Sequence, residues 1–329
     1  MAVITGGVDV KTIGIPRALL YYRYGTLWET FFRSLGRQVV VSPPTDRAVL
    51  QAGEEVSSDE SCLASKVFMG AVASLIGHCD AIFIPNYASA SSRMGFCTKF
   101  QSATDMAANT FREQAPKILS LLIEHLDNHC EVEEAFVDLG KRLGASAKEA
   151  KRAYHAAAKV QKAADELWAK NQEAALKDIR RLRHSTGDAP ITILVAAHPY
   201  IAHDPFMAGP VLDSLKETGA IVLFADETDH DRTYKKSFEF TRTMPWVINR
   251  ELIGSILLLQ DQVDGIVLIS AFPCGPDSMT DDAIMRCIEG TPILNLLIDA
   301  QSGTAGIQTR VESFMDILQF HKKGGYLHE

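Results

Sequence analysis

Gly265-Ile-Val-Leu-Ile-Ser270, continuing as Ala271-Phe-Pro-Cys-Gly-Pro-Asp-Ser278, reads as a hydrophobic strand running into a polar turn rich in Gly and Pro, with a helix beginning near Thr280. Cys274 is thereby placed at the carboxyl end of a buried strand. Open α/β sheets carry their chemistry at that end, close to helix amides that favour bound anions or thiolates. Two further cysteines have comparably polar, turn-like surroundings: Cys62 in Ser58-Asp-Glu-Ser-Cys-Leu-Ala-Ser-Lys66, and Cys97 in Met94-Gly-Phe-Cys-Thr-Lys-Phe100. The expectation is that these three distant thiols meet around one metal centre.

Working outward, the same strand-then-helix grammar recurs in both halves of the chain. Lys11-Thr-Ile-Gly-Ile-Pro16 is a short strand stopped by proline, Arg17 to Gly36 follows with apolar residues at helical spacing from Leu27 through Phe31 and Phe32 to Leu35 and Gly36 as the expected C-cap, and Arg37-Gln-Val-Val-Val-Ser42 is a second strand. This βαβ opening favours parallel pairing. Its first loop, Gly14-Ile-Pro-Arg17, lacks the spaced glycines of a dinucleotide fingerprint. A short helix is expected from Asp46 to Ala52, and another over Leu63 to Ile76, which puts Cys62 at a helix N-terminus. Cys79-Asp-Ala-Ile-Phe-Ile-Pro85 is a further strand, and Cys79, entering a hydrophobic run, reads as a small buried residue.

Between Thr104 and His184 the character turns helical. Ser146 to Arg183 is expected to be one long helix, with Ser146 as N-cap and Glu149 as its capping-box partner. Cys130, beside His129, reads as a surface cysteine or as half of a ligand pair. The charge run Lys177 to His184 reads as a solvated helix face or a contact for an acidic partner.

After the turn-rich Ser185-Thr-Gly-Asp-Ala-Pro190, the strand Ile191-Thr-Ile-Leu-Val-Ala-Ala197 leads into His198-Pro-Tyr-Ile-Ala-His-Asp-Pro205. His198, His203 and Asp204 form the candidate acid-base group, as a site wall or as a loop stapled by histidine hydrogen bonds. Trp246 to Leu259 is an amphipathic helix, Cys287 among Ile284 and Ile288 is expected to be core, and Pro292-Ile-Leu-Asn-Leu-Leu-Ile-Asp299 is the last strand before a helix over Thr309 to His321. The fold class expected is α/β, with two doubly wound parallel-sheet domains of Rossmann or flavodoxin type. The expected division is 1–103, a helical segment 104–185, and 186–329.

Composition narrows the function. With 329 residues, a net charge of -8 and a pI near 5.7, the chain suits two domains and has no basic footprint for nucleic acid. No run approaches the roughly 18–20 apolar residues of a membrane span, and the start lacks the pattern of a signal peptide. The protein is therefore expected to be cytoplasmic. Six widely spread cysteines with no Cys-x-x-Cys pair exclude a dense disulfide framework and the common zinc-ribbon, thioredoxin and ferredoxin signatures. Any metal site has to be assembled from remote parts of the fold.

Several stretches together carry a family resemblance. They are Ile13-Gly-Ile-Pro-Arg-Ala-Leu-Leu-Tyr-Tyr22 with Leu27-Trp-Glu29, Asp59-Glu-Ser-Cys62 with Lys66, Cys97-Thr-Lys-Phe100, His198-Pro-Tyr200 with His203-Asp-Pro205, Trp246-Val-Ile-Asn-Arg-Glu251, and Phe272-Pro-Cys-Gly-Pro-Asp-Ser278. The chain resembles the family related to acyl-CoA dehydratase activases, akin to the iron-sulfur subunits of 2-hydroxyacyl-CoA dehydratases and benzoyl-CoA reductases. The resemblance implies that Cys62, Cys97 and Cys274 bind a four-iron four-sulfur (4Fe-4S) cluster with one iron open to a small ligand. It also implies an ATP-hydrolysing iron-sulfur activase as electron-donating partner, and a small-molecule or acyl-CoA substrate. Lys66 and Lys99 would offset cluster charge or stand as solvated surface lysines. Some relatives link two cubanes through a sulfide; here such a double cubane requires a homodimer or the remaining cysteines.

The chain departs from the family where relatives carry Cys-Cys in place of Phe96-Cys97 and a Glu-His pair near Ala300-Gln301. It also contains no segment that marks a CoA pocket. Three readings compete: an iron-sulfur enzyme of the dehydratase or reductase type, a cluster-bearing electron carrier without chemistry of its own, and a metal-free α/β enzyme using His198, His203 and Asp204.

Overall fold

The computed structural model describes residues 10–91, 94–114, 116–126, 129–130, 132–186 and 189–323. The chain divides into two compact units. Unit 1 comprises the described residues up to Ala164 together with Met244–Val247, and unit 2 comprises Asp165–Thr243 and the chain from Ile248 onward.

Unit 1 is built on strands β1 (Thr12–Ile15), β2 (Gln38–Val41), β3 (Ala81–Phe83) and β4 (Ile118–Leu119). They form one sheet in the order β2-β1-β3-β4, with every pairing parallel. The connections are helical: α1 (Tyr21–Ser34) returns β1 to β2, and α2 (Arg47–Val56) and α3 (Leu63–Ala73) return β2 to β3. Helix α1 contains the apolar spacing from Leu27 onward and starts one turn after Arg17, because Pro16 to Leu20 form turns and Leu19 adopts φ 50°. It ends as expected, with Gly36 at φ 72°, a conformation that glycine adopts without a Cβ clash. Phe31, Phe32, Phe83 and Phe136 are fully buried and pack edge to face around this sheet. Each such side chain contributes about 1.5–3 kcal/mol through burial alone.

Two short helices, α4 (Thr98–Gln101) and α5 (Ala103–Thr110), and α6 (Val132–Arg142) complete the unit, with the start of α7 (Ala147–Thr186). The capping box of α7 is formed: Glu149 N–H donates to Ser146 Oγ, and Glu149 Oε2 accepts from the N–H and hydroxyl of Ser146. The Ser, Ala and Gly loop after β3 is not wholly irregular. Asn86–Tyr87 pairs with Leu122–Ile123, and Ser89–Ser91 pairs with Met94–Gly95.

Unit 2 repeats the plan. Strands β5 (Thr192–Ala197), β6 (Ile221–Phe224), β7 (Gly265–Ala271) and β8 (Ile293–Ile298) form a parallel sheet in the order β6-β5-β7-β8. Strands β5 and β7 are buried along their whole length, which is why both read as unbroken hydrophobic runs. The covering helices are α8 (Pro199–Ala202), α9 (Gly209–Glu217), α10 (His230–Lys236), α11 (Val247–Leu259), α12 (Gly275–Cys287) and α13 (Thr304–Lys322). Both units are thus parallel, doubly wound α/β sheets of the expected type. In each, the first strand is flanked by the second and third, so successive crossovers run in opposite directions from it. That arrangement opens a crevice at the carboxyl ends of the first and third strands. Among the described residues no helix is long and apolar enough to cross a membrane.

Cys287 departs from expectation. It is exposed near the end of α12, whose inward residues are Asp277, Thr280 and Ile284. The apolar spacing around it is real, but Cys287 is the last residue of α12, where the buried face ends, and it is Ile284 and Ile288 that turn inward.

Candidate functional site

In unit 2 the crevice lies between β5 and β7, and the residues that follow those two strands converge there. His198 follows β5 and is the N-cap of α8; its carbonyl accepts from the N–H groups of Ile201 (2.8 Å) and Ala202 (2.9 Å). Pro199 opens that helix, where its missing N–H costs nothing and its fixed φ is already helical. Cys274 follows β7 and is the N-cap of α12; its carbonyl accepts from the N–H (3.0 Å) and hydroxyl (2.7 Å) of Ser278. Gly275 and Pro276, residues that read as turn, form the first turn of α12. The helix therefore begins five residues before Thr280, and Asp277 falls in that first turn, where the helix dipole favours its charge.

The side chains form a buried network. His198 Nε2 lies 3.2 Å from Asn249 Oδ1 and 3.3 Å from Asp277 Oδ1, and His198 Nδ1 lies 2.6 Å from the Tyr200 hydroxyl. Asn249 Nδ2 donates to Asp277 Oδ1 (2.9 Å) and to Thr280 Oγ1 (3.1 Å). His198 and Asp277 are each only 4% exposed, yet Asp277 Oδ2 has no hydrogen-bond partner among the described residues. Ligand atoms of His198, Cys274 and Asp277 all lie within 4.8 Å of one another, so the three can hold a metal ion. One turn further along α12, burial pushes the Asp281 carboxyl up to about 7; a hydrogen bond from Ser270 opposes the shift and the charge of Asp277 adds to it.

His203 belongs to a second cluster. Its Nε2 lies 2.7 Å from Oδ2 of the buried Asp226, in the turn after β6, and its ring packs against Trp168 and Phe224. Burial opposes the charged imidazolium, but the hydrogen bond and charge of Asp226, with Glu227, outweigh it and raise the His203 pKa. Asp204 serves the local backbone: its Oδ1 accepts from the N–H groups of Phe206 (2.9 Å) and Met207 (3.0 Å). The candidate acid-base residues thus stand in three different settings, a network, an ion pair and a turn.

Unit 1 carries Cys62 and Cys97, both half-buried. Cys62 is the N-cap of α3 and Cys97 the N-cap of α4. Lys66 and Lys99 lie on the helices these cysteines open, and both are half-buried. Cys79 is different: its Sγ donates to Leu75 O (3.4 Å) and it packs where a Cβ on Gly14 would stand, 2.6 Å away. Burial pushes its thiol up, away from the thiolate. The side chains of His129 and Cys130 lie outside the described residues.

Asn249, Asp226 and Asp281 were not legible as site residues, because each is brought in by an element remote in sequence or by burial alone. Asp277 did leave a signal. It stands three residues after Cys274, a spacing that brings two side chains to one helix face once Gly275 is taken as the helix start.

The profile of the family described as CoA enzyme activase uncharacterised domain matches residues 12–227. Comparison with curated proteins returned no match. Among solved structures, a mutant Mn-bound periplasmic metal binding protein from Candidatus Liberibacter asiaticus aligns at 10% identity over 94% of this chain and 98% of that one, with a TM-score of 0.24. The C-terminal domain of glucosamine-fructose-6-phosphate aminotransferase from Francisella tularensis aligns at 12% identity over 96% of this chain and 85% of that one, with a TM-score of 0.22. At these scores neither likeness bears on function.

Proposed function

We propose, for a chain that belongs to the family of the CoA enzyme activase uncharacterised domain, that it is an iron-sulfur redox component of the 2-hydroxyacyl-CoA dehydratase type. Cys62, Cys97 and Cys274 would hold a 4Fe-4S cluster. The observation that carries this reading is the sorting of the cysteines. All three proposed ligands are half-buried helix N-caps, where the dipole favours negative sulfur, whereas Cys79 is a packed hydrogen-bond donor and Cys287 lies exposed near a helix end.

The donor set fits a thiolate-ligated cluster chemically. When bound, such a cluster supplies one-electron transfer and a coordination position for a small ligand or an acyl-CoA oxygen. The chain's own residues have complementary tasks. Lys66 and Lys99 place positive charge on the helices that Cys62 and Cys97 open, offsetting the anionic group. The Tyr200–His198 contact offers a proton route towards Cys274, because hydroxyl and imidazole each accept on one side and donate on the other. His203, held by Asp226, is the second acid-base group. Electrons would come from an ATP-hydrolysing activase, and the substrate would be an acyl-CoA or a small molecule.

The test is iron and acid-labile sulfide on protein purified without oxygen, with electron paramagnetic resonance after reduction by the activase and ATP. About four irons and four sulfides per chain are expected. Cys62→Ala, Cys97→Ala and Cys274→Ala should each lose most of the iron, and Cys79→Ala and Cys287→Ala should keep it. Iron content that ignores the first three substitutions, or no iron after reconstitution, would overturn the assignment. The second outcome would leave the His203–Asp226 pair as the basis of a metal-free reading.

A further inference from the structure

We propose that His198, Cys274 and Asp277 form a site for a single thiophilic divalent cation, of the zinc or ferrous type, complete within unit 2. Among the described residues this is the only set of three His, Cys, Asp or Glu side chains whose ligand atoms converge so closely. The proposal goes beyond the cluster reading, whose ligand set includes neither His198 nor Asp277 and draws two of its three members from unit 1.

The geometry suits a tetrahedral ion. Zinc bonds of about 2.0–2.2 Å to nitrogen and oxygen, at a tetrahedral angle, separate the two donor atoms by about 3.4 Å. His198 Nε2 and Asp277 Oδ1 stand 3.3 Å apart. With a zinc-sulfur bond of about 2.3 Å, sulfur should lie about 3.6 Å from the other donors. All separations are already within 4.8 Å, so a side-chain rotation closes the set.

A second, independent observation points to a ligand. Asp277 is 4% exposed and its Oδ2 has no hydrogen-bond partner among the described residues, although leaving a buried carboxylate oxygen unpaired is costly. A cation held by the Asp277 carboxylate sets positive charge beside both of its oxygens and so offsets that cost.

The surrounding residues act as supports of the kind that metal ligands need. The Tyr200 hydroxyl, 2.6 Å from His198 Nδ1, accepts the Nδ1 proton when Nε2 turns to the metal, and so fixes the ring. Asn249 Nδ2 holds Asp277 Oδ1 at 2.9 Å and is itself anchored to Thr280. Binding releases the thiol proton of Cys274. Half-buried Cys274 forms the outer edge of the site, which leaves the fourth position to water or a small ligand. Because this ion and the cluster share Cys274, one occupancy excludes the other.

The test uses the full chain, stripped of metal, with Zn²⁺ or Co²⁺ alone as probe. About one ion per chain is expected, with a thiolate-to-cobalt charge-transfer band in the near ultraviolet. Cys274→Ser should abolish the band. His198→Ala and Asp277→Asn should weaken binding at least 10-fold, and Asn249→Ala about 10- to 100-fold, with far-ultraviolet circular dichroism unchanged. Cys62→Ala and Cys97→Ala should bind as the parent does. Absence of the band, its survival in Cys274→Ser, full affinity in Asp277→Asn, or loss of binding in Cys62→Ala would each overturn the proposal. Since the cobalt readout needs neither iron nor sulfide, it stands or falls separately from the cluster reading.

Discussion

Gly70→Ala probes the packing that positions Cys62. Helices α2 and α3 cross with backbone almost touching backbone: a Cβ on Gly70 would stand 1.9 Å from Val49 O, and one on Gly53 would stand 1.9 Å from Lys66 O. Real Cβ atoms essentially never approach another heavy atom within 3.0 Å, so the helices must separate by at least 3.0 − 1.9 = 1.1 Å. The obstacle is a carbonyl in a helix, which cannot rotate aside as a side chain does. A gap of roughly 1 Å forfeits a quarter to a half of the dispersion energy across the contact. Overpacking of this kind costs about 1–3 kcal/mol, and the rigid obstacle puts Gly70→Ala near the upper end, about 3 kcal/mol. At about 2–4 °C per kcal/mol for a unit of this size, the melting temperature should fall by about 6–12 °C. Thermal unfolding followed by circular dichroism measures it, with Gly209→Ala as control, since a Cβ there meets none of the described residues within 4 Å. Gly53→Ala combined with Gly70→Ala should cost less than the sum, because the first substitution has already parted the helices. A melting temperature within about 1 °C of the parent would refute the crossing, and with it the placement of Cys62 at the start of α3.

Two other perturbations test unit 2. Arg250 is fully buried on α11; its Nη1 donates to Ser237 Oγ (3.2 Å) and Thr241 O (3.0 Å), and its guanidinium lies 4.2 Å from the Phe238 ring centroid. Arg250→Ala should cost roughly 3 kcal/mol in urea unfolding, at about 1.5 kcal/mol for each charge-assisted bond; an unchanged midpoint would contradict the burial. Asp281, raised to about 7 by burial against about 3.9 when unfolded, keeps a proton in the folded chain that the unfolded chain has released. Stability from this group therefore falls as pH rises from about 4 to about 7, by up to about 1.4 kcal/mol per pH unit. Asp281→Asn should remove that slope, measured by urea unfolding at several pH values, and an identical slope in the variant would refute the assignment.

The local grammar of the fold was legible because it is written in neighbouring residues. Buried parallel strands such as β5 and β7 appear as unbroken apolar runs, Ser146 and Glu149 mark a helix start three residues apart, and Gly36 marks a helix end. Cys62 at a helix N-terminus was recognisable on the same terms, since a cap depends on the few residues that follow it, whereas the helices that open directly at Cys97 and Cys274 were not. The first turn of α12 was misplaced because Gly275 and Pro276 suit a turn and a helix start equally well. What tertiary structure alone decided is which remote side chains meet. Sheet order puts the end of β5 beside the end of β7, and so brings His198 to Cys274 and Asp277 across more than seventy residues; α11 then lays Asn249 against both His198 and Asp277. Pairing across a parallel sheet and the burial of an unpartnered carboxylate depend on the whole packed unit, and no window of sequence contains them.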